Sequence, residues 1–418
     1  MSKFKLYEHQ IKSLELTKDK NKVAYYLDMG LGKTFVGAEK LNQLNEKLNI
    51  VICQKSKIDD WINHFNLYYP EYIVFNGRES MYETDIKTIV VINYDLIWRR
   101  DIYLAFSDFT LMLDESSLIS NKSSERTKFI MKLKSKNVIL LSGTPSGGKY
   151  ENLITQINLL GWSISQKVFY NHYVDFSWEG VEGATYLQIN GYKRIDRLNK
   201  KLKENGCVFM ETSEVFDLPD MNDYVIPCKK PTLYNKFLKD KIVYVDDEPL
   251  VGDSTFKKLL YQRQLASIHS KDKFIKITNA LESTENRVII FYNWKVEFEK
   301  LKGLCFRLEK PVSFINGNGK DLKNYNQYEN TVTLCQYQAG SMGHDLQLAH
   351  QVFYISPPLG SVMYQQSKKR IHRIGQTKKC FYYHFISKFT IEEDIYESIK
   401  NHRDYDLKLF EKTEDNDG

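Results

Sequence analysis

The chain has six cysteines in 418 residues, and no two stand close enough to form a Cys-x-x-Cys pair. That argues against a zinc ribbon and against a disulfide-dense secreted fold. Cys53, Cys207, Cys228, Cys305, Cys335 and Cys380 read instead as buried, reduced thiols of a cytosolic protein. No run approaches the ~18 apolar residues of a membrane span. The opening Met1–Lys5 leads into a charged segment with no apolar stretch for secretion. Repeats at solenoid periods and low-complexity tracts are both missing. A cytoplasmic protein with no membrane partner is the expectation.

What is present is ordinary for a globular chain. Hydrophobic residues make up 42% and charged residues 27%, which argues against wholesale disorder. The length fits two or three domains of roughly 100–200 residues. A net charge of +6 is a weak nucleic-acid signal at this size. Its distribution says more: Lys368–Arg373 is strongly basic, and Glu411–Asp417 is mostly acidic.

Short apolar runs recur between turn or charged residues. One set is Val23–Leu27, Asn49–Cys53, Thr88–Asn93, Phe109–Leu113 and Val138–Leu141. A second is Arg287–Tyr292, Thr331–Gln336, Val352–Ile355 and Cys380–Ile386. Runs without alternation suit strands buried on both faces of a parallel sheet. Helical patterns at Thr34–Lys47 and Glu151–Leu160 give the rhythm of α/β domains. The segment Lys149–Glu285 between the sets is richer in charge and helical pattern. Within it, Asp217–Asp220 is a candidate boundary, Tyr224–Pro227 a short strand and Pro231–Lys241 the start of a helix.

Four motifs carry chemistry. Leu27–Thr34 follows an apolar strand and opens a helix, the context of a phosphate loop. Its glycines let backbone N–H groups turn toward phosphate oxygens at a helix N-terminus. Lys33 would reach the β- and γ-phosphates, and Thr34 would hold Mg²⁺. Next, Phe109–Glu115 is an apolar strand ending in two carboxylates. Asp114 is placed to bind Mg²⁺, and Glu115 to orient and deprotonate an attacking water. A strand-end acidic pair is often only a solvated turn. Its place about 80 residues after a phosphate-loop lysine selects the hydrolase reading. Third, Leu141–Pro145 follows another apolar strand; Ser, Gly, Thr and Pro are also plain turn residues. Last, Gln366–Gln376 carries Arg370 and Arg373, which share a face if the segment is helical. Guanidinium groups suit the charge of a transferring phosphoryl group.

In order, these motifs resemble those of superfamily-two helicases, specifically the Swi/Snf-type DNA translocases. Asp28–Thr34 and His372–Gln376 match that family's forms. So do Leu6–Gln10, whose Gln10 reads the adenine in the family, and Val51–Phe65 and Val91–Tyr94, which look like its DNA-contacting motifs. Val288–Phe291 and Ala339–Leu346 resemble its second-lobe motifs. The resemblance implies an α/β fold of two RecA-like parallel-sheet lobes, with helical insertions between motifs III and IV. Lobe 1 is expected over residues 1–222, including a first helical insertion at about 149–205. Lobe 2 is expected over residues 223–418, including a second helical insertion at about 231–285 and a C-terminal helix. It further implies ATP and Mg²⁺ as ligands. ATP would be bound by Gln10, Asp28, Met29, Gly30, Leu31, Gly32, Lys33, Thr34, Asp114, Gly343 and Asp345. The catalytic set would be Lys33, Glu115, Arg370 and Arg373, and the metal set Thr34 and Asp114. Lys55, Ser56, Tyr94, Asn293, Gln338 and Ser341 are the candidate contacts to a nucleic-acid backbone.

The chain departs from the family at several points. Asp114-Glu115 is followed by Ser116-Ser117 where the family has x-His. Ser341, His344-Asp345 and Lys369 replace the usual Gly, Leu-Asn and an acid, and Met210–Glu214 stands where a basic segment is usual. No flanking module fits within the chain, which suits a single, monomeric motor of bacterial or phage type. The leading expectation is an ATP-dependent translocase on double-stranded DNA, working in a bacterial host's cytoplasm. The alternatives are a strand-separating helicase on DNA or RNA and a catalytically silent DNA-binding scaffold.

Overall fold

A computed structural model describes residues 4–79, 85–181, 184–245, 247–340 and 345–401. The acidic stretch Glu411–Asp417 lies outside the described residues. The chain divides into two compact units, Met1–Phe216 and Asp217–Gly418. Among the described residues no helix is long and apolar enough to cross a membrane.

Among its described residues the first unit holds nine strands: β1 Lys22–Leu27, β2 Leu48–Cys53, β3 Ile73–Asn76, β4 Thr88–Asn93, β5 Ser107–Asp114, β6 Lys134–Leu141, β7 Val174–Val181, β8 Ala184–Tyr192 and β9 Cys207–Met210. Seven form one sheet in the order β3-β4-β2-β5-β6-β1-β9. Every pairing in it is parallel. Successive side chains of a strand point to opposite faces, and here both faces are covered. Ala24, Ile50, Ile52, Leu111, Leu113 and Leu140 enter one core. Their neighbours Val23, Tyr25, Val51, Met112, Ile139 and Leu141 enter the other. This double burial is why the strands read as unbroken apolar runs.

The first strand of the second unit is β10 Met221–Cys228, and the boundary expected at 222/223 falls inside it. Its other strands are β11 Ile242–Val245, β12 Glu248–Val251, β13 Val288–Tyr292, β14 Val312–Asn316, β15 Gly319–Asp321, β16 Val332–Gln336, β17 Gln351–Tyr354 and β18 Cys380–Ser387. The sheet order is β10-β18-β17-β13-β16-β14-β15. Only the β14–β15 pair at its end is antiparallel. The two segments expected to be helical each carry an antiparallel hairpin as well, β7–β8 and β11–β12.

Edge strand β10 is locked to β18 by a polar cluster. His384 Nε2 lies 2.9 Å from Asp223 Oδ1, and Lys368 Nζ donates to Asp223 Oδ2 at 2.6 Å. Burial works against ionisation of Asp223, but the bonds from His384 and Lys368 outweigh it and hold the carboxyl at about 2. A depressed carboxyl stabilises the fold above its unfolded value near 4 and loses that contribution as pH falls toward 2. Replacing Asp223 with Asn is expected to cost about 1 kcal/mol at pH 7, after allowance for solvent screening. Urea unfolding at pH 7 and at pH 3 checks this: the gap between wild type and variant narrows at the lower pH.

Candidate nucleotide-hydrolysis site

Because the first sheet is parallel, its strands end at one edge, the usual ligand edge of such sheets. β1 ends at Leu27, β5 at Asp114 and β6 at Leu141. Strand β6 lies between β5 and β1. The Ser142–Pro145 loop therefore stands between the phosphate loop and the acidic pair.

The phosphate loop runs from Asp28 to Gly32 and ends at helix α2, Lys33–Leu44 (the preceding helix α1 is Glu8–Glu15). Gly32 caps α2 at φ +74°, and a Cβ there would stand 2.2 Å from Gln10 Nε2. Glycine is favoured by the left-handed backbone, and a side chain there would displace the Gln10 amide. Gln10 donates to the Leu31 carbonyl at 3.2 Å and accepts from Tyr7 N–H at 3.0 Å. His9 Nε2 is 3.0 Å from the same Leu31 carbonyl. Leu31 is buried, as is Met29. Lys33 Nζ donates to the carbonyls of Leu27 (3.0 Å) and Asp28 (3.3 Å). Gly143 packs on Lys33: a Cβ at Gly143 would stand 3.2 Å from Nζ. Asp28 accepts from Thr212 Oγ1 at 3.1 Å, and its N–H donates to Met210 O at 2.9 Å. The Met210–Glu214 segment, which lacks the family's basic residues, thus braces the phosphate loop.

Asp114 accepts from Trp61 Nε1 at 2.9 Å. Burial raises its carboxyl above the ordinary value, while Trp61, Lys33 and Lys57 pull it back. Glu115 follows in the left-handed region at φ +53°, ψ +56°. A non-glycine residue there is uncommon. Trp61 lies on helix α3, Ile58–Tyr68, which follows the short turn Lys55–Lys57. Lys55 and Ser56 are exposed on that turn.

Several expected placements are corrected. Tyr94 is 2% exposed, and its hydroxyl donates to the Asp114 carbonyl at 2.8 Å. Its phenol is turned inward to the end of β5 and is not exposed. Asn293 is half-buried, with its amide spent on Ser356 Oγ (2.8 Å) and Pro357 O (3.2 Å). Arg370 and Arg373 do not share a helix face, because the helix Ser361–Lys368 ends before them. Arg370 is 2% exposed. Arg373 pairs with Asp345, so two expected nucleotide contacts of the second unit meet each other. Gln376 ties this turn down by donating to Gln347 O (3.1 Å), Ala349 O (2.8 Å) and Ile371 O (3.2 Å). Gln338 is exposed, whereas Ser341 and Gly343 lie outside the described residues.

Fold and site together define a class: a helicase-like nucleotide hydrolase with a phosphate loop and a strand-end acidic pair on one parallel sheet. The sequence model of the SNF2-related domain matches residues 16–282, and that of the helicase conserved C-terminal domain matches residues 271–375. The chain belongs to the SNF2-related family of helicase-like ATPases. It is 22% identical over 400 residues to the SWI/SNF-related matrix-associated actin-dependent regulator of chromatin subfamily A-like protein 1 of Xenopus laevis, covering 89% of this chain and 40% of that one. It is 23% identical over 469 residues to the ISWI chromatin-remodeling complex ATPase ISW2 of Saccharomyces cerevisiae, covering 94% and 40%. An uncharacterised ATP-dependent helicase of Mycoplasma genitalium is 25% identical over 411 residues, covering 88% and 38%. The chain thus spans about 40% of the length of these relatives. A Sulfolobus solfataricus SWI2/SNF2 ATPase core, solved in complex with dsDNA, has a TM-score of 0.46 and 19% identity, covering 96% of this chain and 92% of that one.

Proposed function

We propose that this chain is a DNA-stimulated ATPase that moves along double-stranded DNA, remodelling DNA structures or displacing bound proteins. The observation that carries the reading is the meeting of Lys33, Asp114-Glu115 and Ser142–Pro145 at one sheet edge in a member of the SNF2-related family. Lys33 leaves the Leu27 and Asp28 carbonyls to take the β- and γ-phosphates. Gln10 serves the adenine. Glu115 orients the attacking water and accepts its proton. The hydroxyl of Thr34 and the carboxylate of Asp114 are oxygen donors that would hold Mg²⁺, which would supply neutralisation of phosphate charge. Arg373 is the guanidinium assigned to the transferring phosphoryl group; Arg370, also a candidate for that role, is buried in the same turn. Hydrolysis then changes the chain's grip on DNA, which becomes stepping if that grip alternates along the backbone. Exposed Lys55 and Ser56 are the assigned backbone contacts of the first unit.

Phosphate contacts carry no sequence information and weaken with salt. Steady-state ATP hydrolysis is therefore measured at fixed low salt with no nucleic acid, duplex DNA, single-stranded DNA, forked DNA and RNA. Acceleration of about tenfold or more by duplex, fading as salt rises, is the expected result. Acceleration by single strands or RNA alone replaces the reading with a strand-separating helicase.

A further inference from the structure

The family resemblance implies a histidine at position 117, with a coupling role beside the acidic pair. Ser117 stands there instead. A tie is present by another route. Gln156, on the helix Ile154–Leu159, is completely buried. Its Oε1 accepts from Ser116 Oγ at 2.7 Å, and its Nε2 donates to Pro145 O at 2.9 Å. Tyr26 of β1, one residue before the last of that strand, donates to the same Oε1 at 3.0 Å. One amide thus holds β1 beneath the phosphate loop, the turn that carries Glu115, and the Ser142–Pro145 loop.

We propose that Gln156 is a positioning residue for hydrolysis, coupling the Glu115 turn to the Ser142–Pro145 loop in place of the family's histidine. The geometry selects an amide. Its oxygen takes two hydroxyl donors and its nitrogen serves a carbonyl, so each partner uses a group that only the amide supplies. The bonds lie in a dry interior, where hydrogen-bonded networks hold geometry most firmly. Glu115 sits one residue from Ser116 in the left-handed region, so a shift of Ser116 re-aims the Glu115 carboxylate directly. Such misplacement lowers turnover while leaving nucleotide binding at Lys33 and Thr34 intact.

The proposal rests on the ATPase reading above, and its test separates the two. Gln156→Met keeps length and volume but removes both polar atoms; Ser116→Ala removes one partner. Each is compared with wild type for affinity toward a fluorescent ATP analogue, thermal midpoint, and kcat with and without duplex DNA. Expected are analogue affinities within about twofold of wild type and kcat lowered about tenfold or more in Gln156→Met. The Ser116→Ala effect on kcat is not multiplied when both changes are combined, as for two ends of one bond. Gln156→Glu keeps the acceptor for Ser116 but loses the donor to Pro145, and recovers part of the rate. Unchanged kcat in folded Gln156→Met, or independent multiplication of the two single effects, overturns the proposal. Loss of affinity in parallel with kcat overturns it equally, since that marks general damage to the unit. A wild type that duplex DNA does not accelerate overturns the translocase reading instead, and the basal rates still decide the role of Gln156.

Discussion

Glu115→Gln is expected to bind ATP as wild type does and to hydrolyse it roughly 10²–10⁴-fold more slowly. The substitution is nearly isosteric. It keeps a hydrogen-bonding head on the same backbone, which matters because Glu115 occupies the left-handed region at φ +53°. An amide cannot accept the proton of the attacking water, so the general-base contribution is removed while the turn is kept. Lys33, Thr34 and Asp114 are untouched, and affinity for ATP is therefore retained. On the proposed translocase reading, the variant is expected to stay on duplex DNA in its ATP-bound state. Single-turnover hydrolysis and analogue titration on the same sample check both halves. A rate within twofold of wild type would remove Glu115 from the chemistry and revive the silent scaffold as an account of the chain. Equal loss of binding and rate would instead make Glu115 a nucleotide-binding group.

The legibility of this protein in its sequence follows burial and distance along the chain. Strands β1, β2, β4, β5 and β6 stand out because both faces are covered, so each is a run of apolar residues. Strands β3 and β9 escape notice: each has four residues and lies at a sheet edge. β14 is partly exposed and alternates, so it offers no apolar run. The phosphate loop and Asp114-Glu115 are local motifs, and their chemistry is legible without a fold. The groups that hold them are not. Trp61 reaches Asp114 across 53 positions, Gln156 reaches Ser116 across 40, and Thr212 reaches Asp28 across 184. Thr and Gln carry no signal of such a role, and Trp61 reads as part of a DNA-contacting segment. Tyr94 misleads for the opposite reason. It sits in a motif associated with DNA, yet a phenol beside a strand end can equally turn inward, and here it does.

The second unit offers a test of construction rather than chemistry. Lys273 and Glu392 are 0% and 1% exposed, with Lys273 Nζ 2.7 Å from both carboxylate oxygens. Lys273 also donates to Ile355 O at 2.8 Å, and Ser387 N–H donates to Glu392 at 2.8 Å. The pair joins the helix Lys271–Glu282, in the segment between the two motif sets, to the helix Ile391–Lys400 near the end of the described chain. Burial raises the Glu392 carboxyl above its ordinary value, with Lys273 the first influence opposing it. Lys273→Met leaves that carboxyl buried without its counter-charge, a change that typically costs about 3–5 kcal/mol. For a unit of this size that lowers the unfolding midpoint by on the order of 10 °C. The loss is expected to be larger at pH 8 than at pH 4, below the unfolded carboxyl value of about 4.3. A carboxyl whose folded value lies above its unfolded one destabilises the fold increasingly as pH rises from the unfolded value through the folded one. Adding Glu392→Leu removes the stranded charge and is expected to recover at least half of the loss, because apolar replacement of a buried pair is often neutral. Differential scanning calorimetry of the wild type, the single and the double variant at both pH values reads all three expectations. A single variant as stable as wild type would mean that the pair is solvated, and that the Lys271–Glu282 helix is not fixed to the second sheet through it.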